Sequence, residues 1–253
     1  MRASLLDACG CFPTGRHYAG IAHLLRATIR GLVEELGAEA AWTDLPIALV
    51  DLETTGRDAS VDRVVEVGIV IARGGQIVER KEWLVNPGQP IPKEATDVHK
   101  ISDDDVKQAP PFAAVAREIA SMLSACVPAA YNAPFDRAFL RNEMARAGLA
   151  LDASAPPALR NDIEWLDPLI WARELQQGEK SRALGEVAAR LGIALENAHR
   201  ATDDAEAALR VLLALARDVR VPRTYAALVR EQRRLGMAQA DERRLNKWRG
   251  GTA

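Results

Sequence analysis

The sequence predicts an α/β protein built on a mixed central β-sheet flanked by α-helices. Three observations predict it: a nearly continuous apolar run at Pro46–Leu52, two β-rich runs joined through Gly74-Gly75, and helical periodicities that alternate with one further strand downstream. A hairpin-rich start followed by alternating helices calls for a sheet with helices packed on it. The 253 residues are enough for one good core with additions at its ends.

The elements follow in order. Residues 16–37 carry Ile21, Leu24, Leu25, Ile29, Leu32, Val33 and Leu36 at helical spacing, with Arg26, Arg30 and Glu34 between them. Pro46–Leu52 shows no alternation, as in a strand buried on both faces. Val64–Ile71 and Ile77–Val85 form a hairpin, because both residues of the Gly-Gly turn accept positive φ. Pro90, Pro92, Pro110 and Pro111 bracket a loop-rich stretch. Phe112–Leu123 is helical, Val127–Tyr131 is a short strand, and helical patterns follow at 134–147, 169–175, 182–191 and 201–216. Pro222-Arg223-Thr224 opens a last helix, with Tyr225, Leu228, Val229 and Leu235 as an inward stripe and Arg230, Arg233 and Arg234 outward. This gives a helical extension over 1–44, a central domain over 45–218 and a basic helical tail over 219–253.

Composition narrows the class. Hydrophobic residues make up 48% and charged residues 27%, ordinary for a soluble protein. No apolar run approaches the roughly 18 residues of a membrane span, and Met1–Phe12, interrupted by Asp7, makes a poor secretory signal. Cys9, Cys11 and Cys126 cannot build a disulfide framework, so a cytoplasmic home is expected. No Cys or His neighbour completes a metal set around Cys9 and Cys11, which read as free thiols. The net charge of −2 is uneven: 219–253 holds nine Lys or Arg against three acids, so the body before it is acidic. An acidic body with a basic tail fits a carboxylate-rich metal site beside a nucleic-acid track, although solvated helix faces produce such asymmetry too.

The acids occur in three motifs. Asp51 and Glu53 share one face of a strand, their bases roughly 6.6 Å apart, directly before Thr54-Thr55-Gly56. Two such carboxylates are costly unless a cation compensates them. Tyr131-Asn132-Ala133-Pro134-Phe135-Asp136 stands where a strand hands over to a helix, with Pro134 in the first turn. There Asp136 taken alone could simply complement the helix dipole. His199-Arg200-Ala201-Thr202-Asp203-Asp204 opens a long helix. Five helical steps rotate by roughly 140° net, so His199 belongs on the incoming loop and Asp204 in the first turns. Asp203 faces away.

Together, D-x-E-T-T-G, N-x-x-F-D and H-x-x-x-x-D resemble the DEDD-type (DnaQ-like) exonuclease family, in its histidine (DEDDh) branch, across about residues 45–217. Asn86-Pro87, Ile91-Pro92, Val98-His99-Lys100-Ile101 and Asp167-Pro168-Leu169 add lesser matches. Tyr131 stands where many members have His, and Lys100 where Gly is usual. The resemblance implies an RNase H-like fold and a 3′→5′ exonuclease that releases 5′-nucleoside monophosphates. It implies that Asp51, Glu53, Asp136 and Asp204 hold two Mg²⁺ or Mn²⁺ ions, hard cations that prefer carboxylate oxygen, with Asp51 bridging. It makes His199 the general base, a role suited to histidine's ordinary pKa of about 6.5. It further implies that Thr55, Val98, His99, Asn132 and Phe135 seat the terminal nucleotide. The expected partner is the 3′ end of a single strand, of DNA in proofreading or repair by preference, with RNA trimming the alternative. A non-catalytic nucleic-acid scaffold is the less favoured reading, since all five site residues are present. The terminal extensions are candidates for contact with a polymerase or a second copy of the chain, and no membrane is involved.

Overall fold

The computed structural model describes residues 31–195 and 199–250. In chain order these hold β1 (Ile47–Thr54), β2 (Val64–Arg73), β3 (Gln76–Leu84), α1 (Lys93–His99), α2 (Asp103–Val106), α3 (Phe112–Met122), β4 (Val127–Ala129), α4 (Ala133–Arg146), α5 (Pro168–Leu175), α6 (Leu184–Arg190), α7 (Ala201–Leu215) and α8 (Tyr225–Gly250). The sheet order is β3-β2-β1-β4. β2 pairs antiparallel with both β1 and β3, and β4 pairs parallel with β1, so the sheet is mixed. The hairpin turns at Gly74 and Gly75 with φ of 57° and 71°, values that any residue with a Cβ adopts reluctantly.

β1 explains its own sequence. Ile47 and Leu49 face a core shared with α5, α7 and α8, while Ala48, Val50 and Leu52 face a second core under α3 and α4. Buried on both sides, the strand has no polar face to present, hence the unbroken apolar run. Because β1 and β4 are parallel, their carboxyl ends open on the same edge of the sheet, where α/β proteins commonly place their sites. The chain leaves β4 directly into α4. A further segment reinforces that edge: Leu166 bridges Ala129 in parallel, with the Leu166 N–H donating to the Pro128 carbonyl at 2.9 Å.

On the opposite face of the same corner α7 lies directly on β2. A Cβ at Gly68 would collide with the Ala201 carbonyl and the Thr202 nitrogen, so only glycine lets the start of α7 come this close. Gly68 is also the residue paired with Asp51 on β1. The approach of the helix and the position of the first carboxylate are thereby set by one residue.

Three expectations are revised. The predicted helix over 16–37 falls mostly outside the described residues; from Gly31 onward the chain is not α-helical. Gly31 and Gly37 take φ of 96° and 80°, only Glu34–Leu36 form a single 3₁₀ turn, and Leu32 and Val33 turn into the core instead. This segment is fastened to the start of α8, where Trp42 Nε1 donates to the Pro222 carbonyl at 2.8 Å. The stretch bracketed by prolines contains two short helices, α1 and α2, rather than only loop. Lys100 ends α1 with a left-handed φ of 63°, which accounts for glycine being usual at that position. Finally, α8 does bury Tyr225, Leu228, Val229 and Leu235, but Arg233 is not outward: its guanidinium is half-buried against Glu164 at 2.9 Å. Arg234 is held by Glu231 one turn earlier, at 2.6 Å. Cys9 and Cys11 lie outside the described residues, and Cys126 is buried as a free thiol. Among the described residues no helix is long and apolar enough to cross a membrane.

The contact at Gly68 is testable. Gly68→Ala should destabilise the protein by about 1–3 kcal/mol, the usual cost of overpacking, read as a lowered denaturant midpoint. An unchanged midpoint would mean that α7 does not rest on β2.

Candidate active site

Each acidic motif arrives by its own element. Asp51 and Glu53 come from the end of β1 on the α7 side, Asp136 from the first turn of α4, and Asp204 from the first turn of α7. Asp51 lies in the field of Asp204, Glu53 in those of Asp51 and Asp204, and Asp136 in that of Asp51. Burial, then Asp204 and Glu66, push the Asp51 carboxyl well above the usual range. Burial and then Asp51 do the same to Asp136. Glu53 is pushed up to about 9 by burial and then by Asp51, Asp204 and Glu66, with Arg200 opposing. Asp204 is raised by burial, partly offset by the hydrogen bond that its Oδ2 accepts from the His199 N–H at 3.0 Å.

His199 joins this group from an exposed loop, with a left-handed φ of 69° that turns the chain into α7. Ligand atoms of Glu53, His199 and Asp204 all lie within 4.8 Å of one another. Two carboxylates and an imidazole nitrogen this close, short of positive charge, suit a divalent cation. Asp203 indeed turns away, to Arg80 at 2.9 Å.

The other predicted residues divide by exposure. Val98 is 50% exposed on α1, Asn132 is exposed in a left-handed conformation, and Phe135 is half-buried against Phe139, ring centroids 4.8 Å apart. Thr55 and His99 are buried. The Thr55 hydroxyl is held inside its turn, accepting from the Arg63 N–H and from Gln89 Nε2, both at 3.0 Å. His99 Nδ1 accepts from the Ile101 N–H at 3.1 Å. Its Nε2 is buried without a hydrogen bond of good geometry, and burial lowers the pKa of the ring against the opposing effect of the Thr54 backbone.

Sequence reasoning missed how these groups are held in place, noting Asp167 only as part of a lesser motif match and Glu66 and Gln232 not at all. Glu66, fully buried on β2 opposite Glu53, accepts from Arg200 at 2.6 Å and from the Ala201 N–H at 2.8 Å, fixing the entrance to α7. A lone acid inside the apolar run Val64–Ile71 was its signal. Asp167 accepts from the N–H groups of Asn132, Ala133 and Leu169 at 2.9–3.1 Å, so it pins the start of α4 while capping α5. Gln232, fully buried on α8, in turn accepts from the Asp167 N–H at 2.9 Å and donates to the Trp165 carbonyl at 2.8 Å. Nothing in the local sequence around Gln232 marks it.

A mixed sheet with carboxylates gathered at the carboxyl end of β1, and a histidine beside them, is the architecture of the exonuclease fold class. The chain belongs to the exonuclease family represented by RNase T, the DnaQ-like DEDD group, whose family model matches residues 49–212. It is 31% identical over 181 residues to the PolC-type DNA polymerase III of Streptococcus suis, covering 72% of this chain and 12% of that one. The PolC-type enzyme of Thermotoga maritima is 29% identical over 194 residues, covering 77% of this chain and 14% of the relative. The chain thus spans only a small part of the polymerases it matches. Among solved structures, E. coli Exonuclease I in complex with a dT13 oligonucleotide superposes with a TM-score of 0.59 at 20% identity, over 68% of this chain and 41% of that one. Exonuclease X in complex with 5′ overhanging duplex DNA gives 0.54 at 20% identity, over 72% and 99%. At that identity the two structures speak for the fold.

The raised carboxyls set the pH dependence of stability. Between about 4.5 and about 9 the folded Glu53 keeps a proton that the unfolded chain has released, so stability falls as pH rises through that window. In cation-free protein the Tm should therefore drop from pH 5 to pH 8, Glu53→Gln should flatten the drop, and Mg²⁺ or Mn²⁺ should raise the Tm more at pH 8. A Tm that climbs across this range would contradict the arrangement.

Proposed function

We propose that the protein is a metal-dependent 3′→5′ exonuclease of the DEDDh branch that releases 5′-nucleoside monophosphates from single-stranded DNA ends. The observation that carries this reading is the convergence of Asp51, Glu53, Asp136 and Asp204 with His199 at one corner of the sheet. Two divalent cations, Mg²⁺ or Mn²⁺, held by the four carboxylates would stabilise the attacking and departing oxygens of an in-line displacement. His199 takes the proton from the attacking water. The Asp204 carboxylate anchors the His199 backbone, and the Glu66–Arg200 pair anchors the residue after it. Val98, Asn132 and Phe135, the accessible members of the set, contact the terminal nucleotide. Phe135 offers its ring to the base, which serves any sequence because every base has a π-face. Thr55 and His99 act from behind, shaping the turn after β1 and the end of α1. DNA is preferred over RNA because the PolC-type relatives are DNA polymerases and the structural neighbours were solved with DNA. The same relatives support work beside a polymerase.

Asp51→Asn and Asp204→Asn should each abolish hydrolysis while the protein stays folded, and chelator should silence the wild type until Mg²⁺ or Mn²⁺ is restored. Full activity in excess chelator ends this reading. A bulky group on the 3′-hydroxyl should stop degradation and one on the 5′ end should not; internal cuts in a circular strand would show the opposite. His199→Ala should cut turnover roughly 10²–10⁴-fold, the usual worth of general-base catalysis. It should also remove the limb of the pH–rate profile that rises with pH. A mutant that keeps this limb assigns the base elsewhere.

A further inference from the structure

A groove of about 1060 Å³ begins at Tyr131 and Asn132, on the threshold of α4, and runs between α5, the Arg182 loop and the distal half of α8. Asn132 precedes the first turn of α4, the turn that carries Asp136, so the groove begins beside the element that delivers that acid. Three guanidiniums line it: Arg173 from α5, Arg182 from the loop before α6, and Arg243 from α8. Among the described residues none of the three has a carboxylate partner. Arg173 and Arg243 make no hydrogen bond or ion pair there, and Arg182 donates only to the backbone carbonyls of Gln176, Gln177 and Glu179. Burial, and then the like charge of Arg243, depress Arg173, against the opposing field of the buried Asp167. Two carboxylates, Glu174 and Glu242, share the lining, yet the field of Glu174 falls on Arg220 and Arg234.

A second cleft, of about 580 Å³, has most of its charges paired within the protein. There Arg80 is bound to Asp203 and Glu206 at 2.9 Å, and Arg210 to Glu206 at 2.6 Å. Arg80 and Arg210 are thus ion-paired, although Arg217 lines that cleft without an ion pair among the described residues; in the Asn132 groove none of the three guanidiniums is ion-paired.

We infer that this groove carries the phosphates of the nucleic-acid strand immediately upstream of the terminal nucleotide, with Arg173, Arg182 and Arg243 as their counter-ions. The inference rests on the exonuclease reading above. Its logic is electrostatic: a pocket crowded with carboxylates repels a polyanion, and an open cationic channel that begins beside α4 offsets that repulsion. An extended strand suits the channel better than a compact anion, because the three guanidiniums come from three separate elements along an open groove. Arg243 stands beyond the end of the family match at residue 212, so this part of the track belongs to the chain's own α8. It also replaces the cationic row expected at Arg230, Arg233 and Arg234, two of which are ion-paired within the protein.

The test compares substrates of different reach in the full-length protein. The wild type, Arg243→Gln and Arg173→Gln/Arg243→Gln are assayed on a long single-stranded oligodeoxynucleotide and on the p-nitrophenyl ester of thymidine 5′-monophosphate, which fills the active site alone. The readout is the ratio of kcat/KM on the strand to kcat/KM on the ester. It should fall several-fold in Arg243→Gln, whose exposed position makes folding safe, and further in the double variant. Strand binding is followed in parallel by fluorescence anisotropy against salt. Losing two phosphate contacts should flatten the slope of log affinity on log salt by about 1.4, at about 0.7 per contact for a single strand. A ratio and a slope both unchanged overturn the groove. Equal competition by polyglutamate overturns its assignment to a nucleic-acid strand. A wild type inert on both substrates sinks the exonuclease reading instead, and the salt slope then still decides whether the groove holds phosphates.

Discussion

Four carboxylates linked through the field of Asp51 are the constraint around which the rest of this protein is arranged. Two like charges 4 Å apart repel by about 4 kcal/mol at the effective dielectric of a protein surface, and here they are half or fully buried as well. No such cluster assembles by itself. It requires elements stiff enough to deliver each acid against the repulsion of the others. β1, packed on both faces, is such an element, and so are α4 and α7, each docked by its first turn.

The stiffness comes from a recurring device: a second, buried carboxylate that clamps the backbone of each acidic motif without belonging to the cluster's own four. Glu143 binds Arg63 through two hydrogen bonds of 2.6 and 3.0 Å, and Arg63 closes the Thr54-Thr55-Gly56 turn after β1. Asp167 gathers three N–H groups around the start of α4, and Glu66 grips Arg200 and Ala201 at the start of α7. Each is less than 5% exposed, and each has the charged or multiple donors that a buried carboxylate needs. Breaking such a pairing leaves an uncompensated charge inside the protein, so these clamps tolerate substitution no better than the acids they serve.

The sheet and its hairpin could be read from the sequence because their signals are local. The unbroken apolar run and the Gly-Gly turn each span only a few residues, and the acids and His199 were expected from motifs as short, each at a strand or helix boundary. What escaped was non-local. Asp167 acts on Asn132 across 35 positions and Gln232 on Asp167 across 65, and neither relation leaves a trace in the pattern around either residue. The stretch after Pro92 was read as loop because α1 and α2 are too short to show a helical period. Arg233 was placed outward by helical phase alone, and phase does not report that Glu164 stands opposite. The glycines at 31 and 37 were overlooked inside an otherwise helical apolar pattern, yet their positive φ ends any helix there.

α8 alters what counts as one unit. The match to the exonuclease family model ends at residue 212, and a modular view would place a boundary just after it. Yet Gln232 hydrogen-bonds to the backbone of Asp167, Asp167 fixes the turn that leads to Asp136, and Tyr225 and Leu228 complete the core beneath β1. Recombination or excision at that boundary would therefore remove part of the cornerstone along with the annex. Heredity and mechanics divide this chain at different places, and a grafted domain that respects only the first would inherit the acids without the frame that holds them.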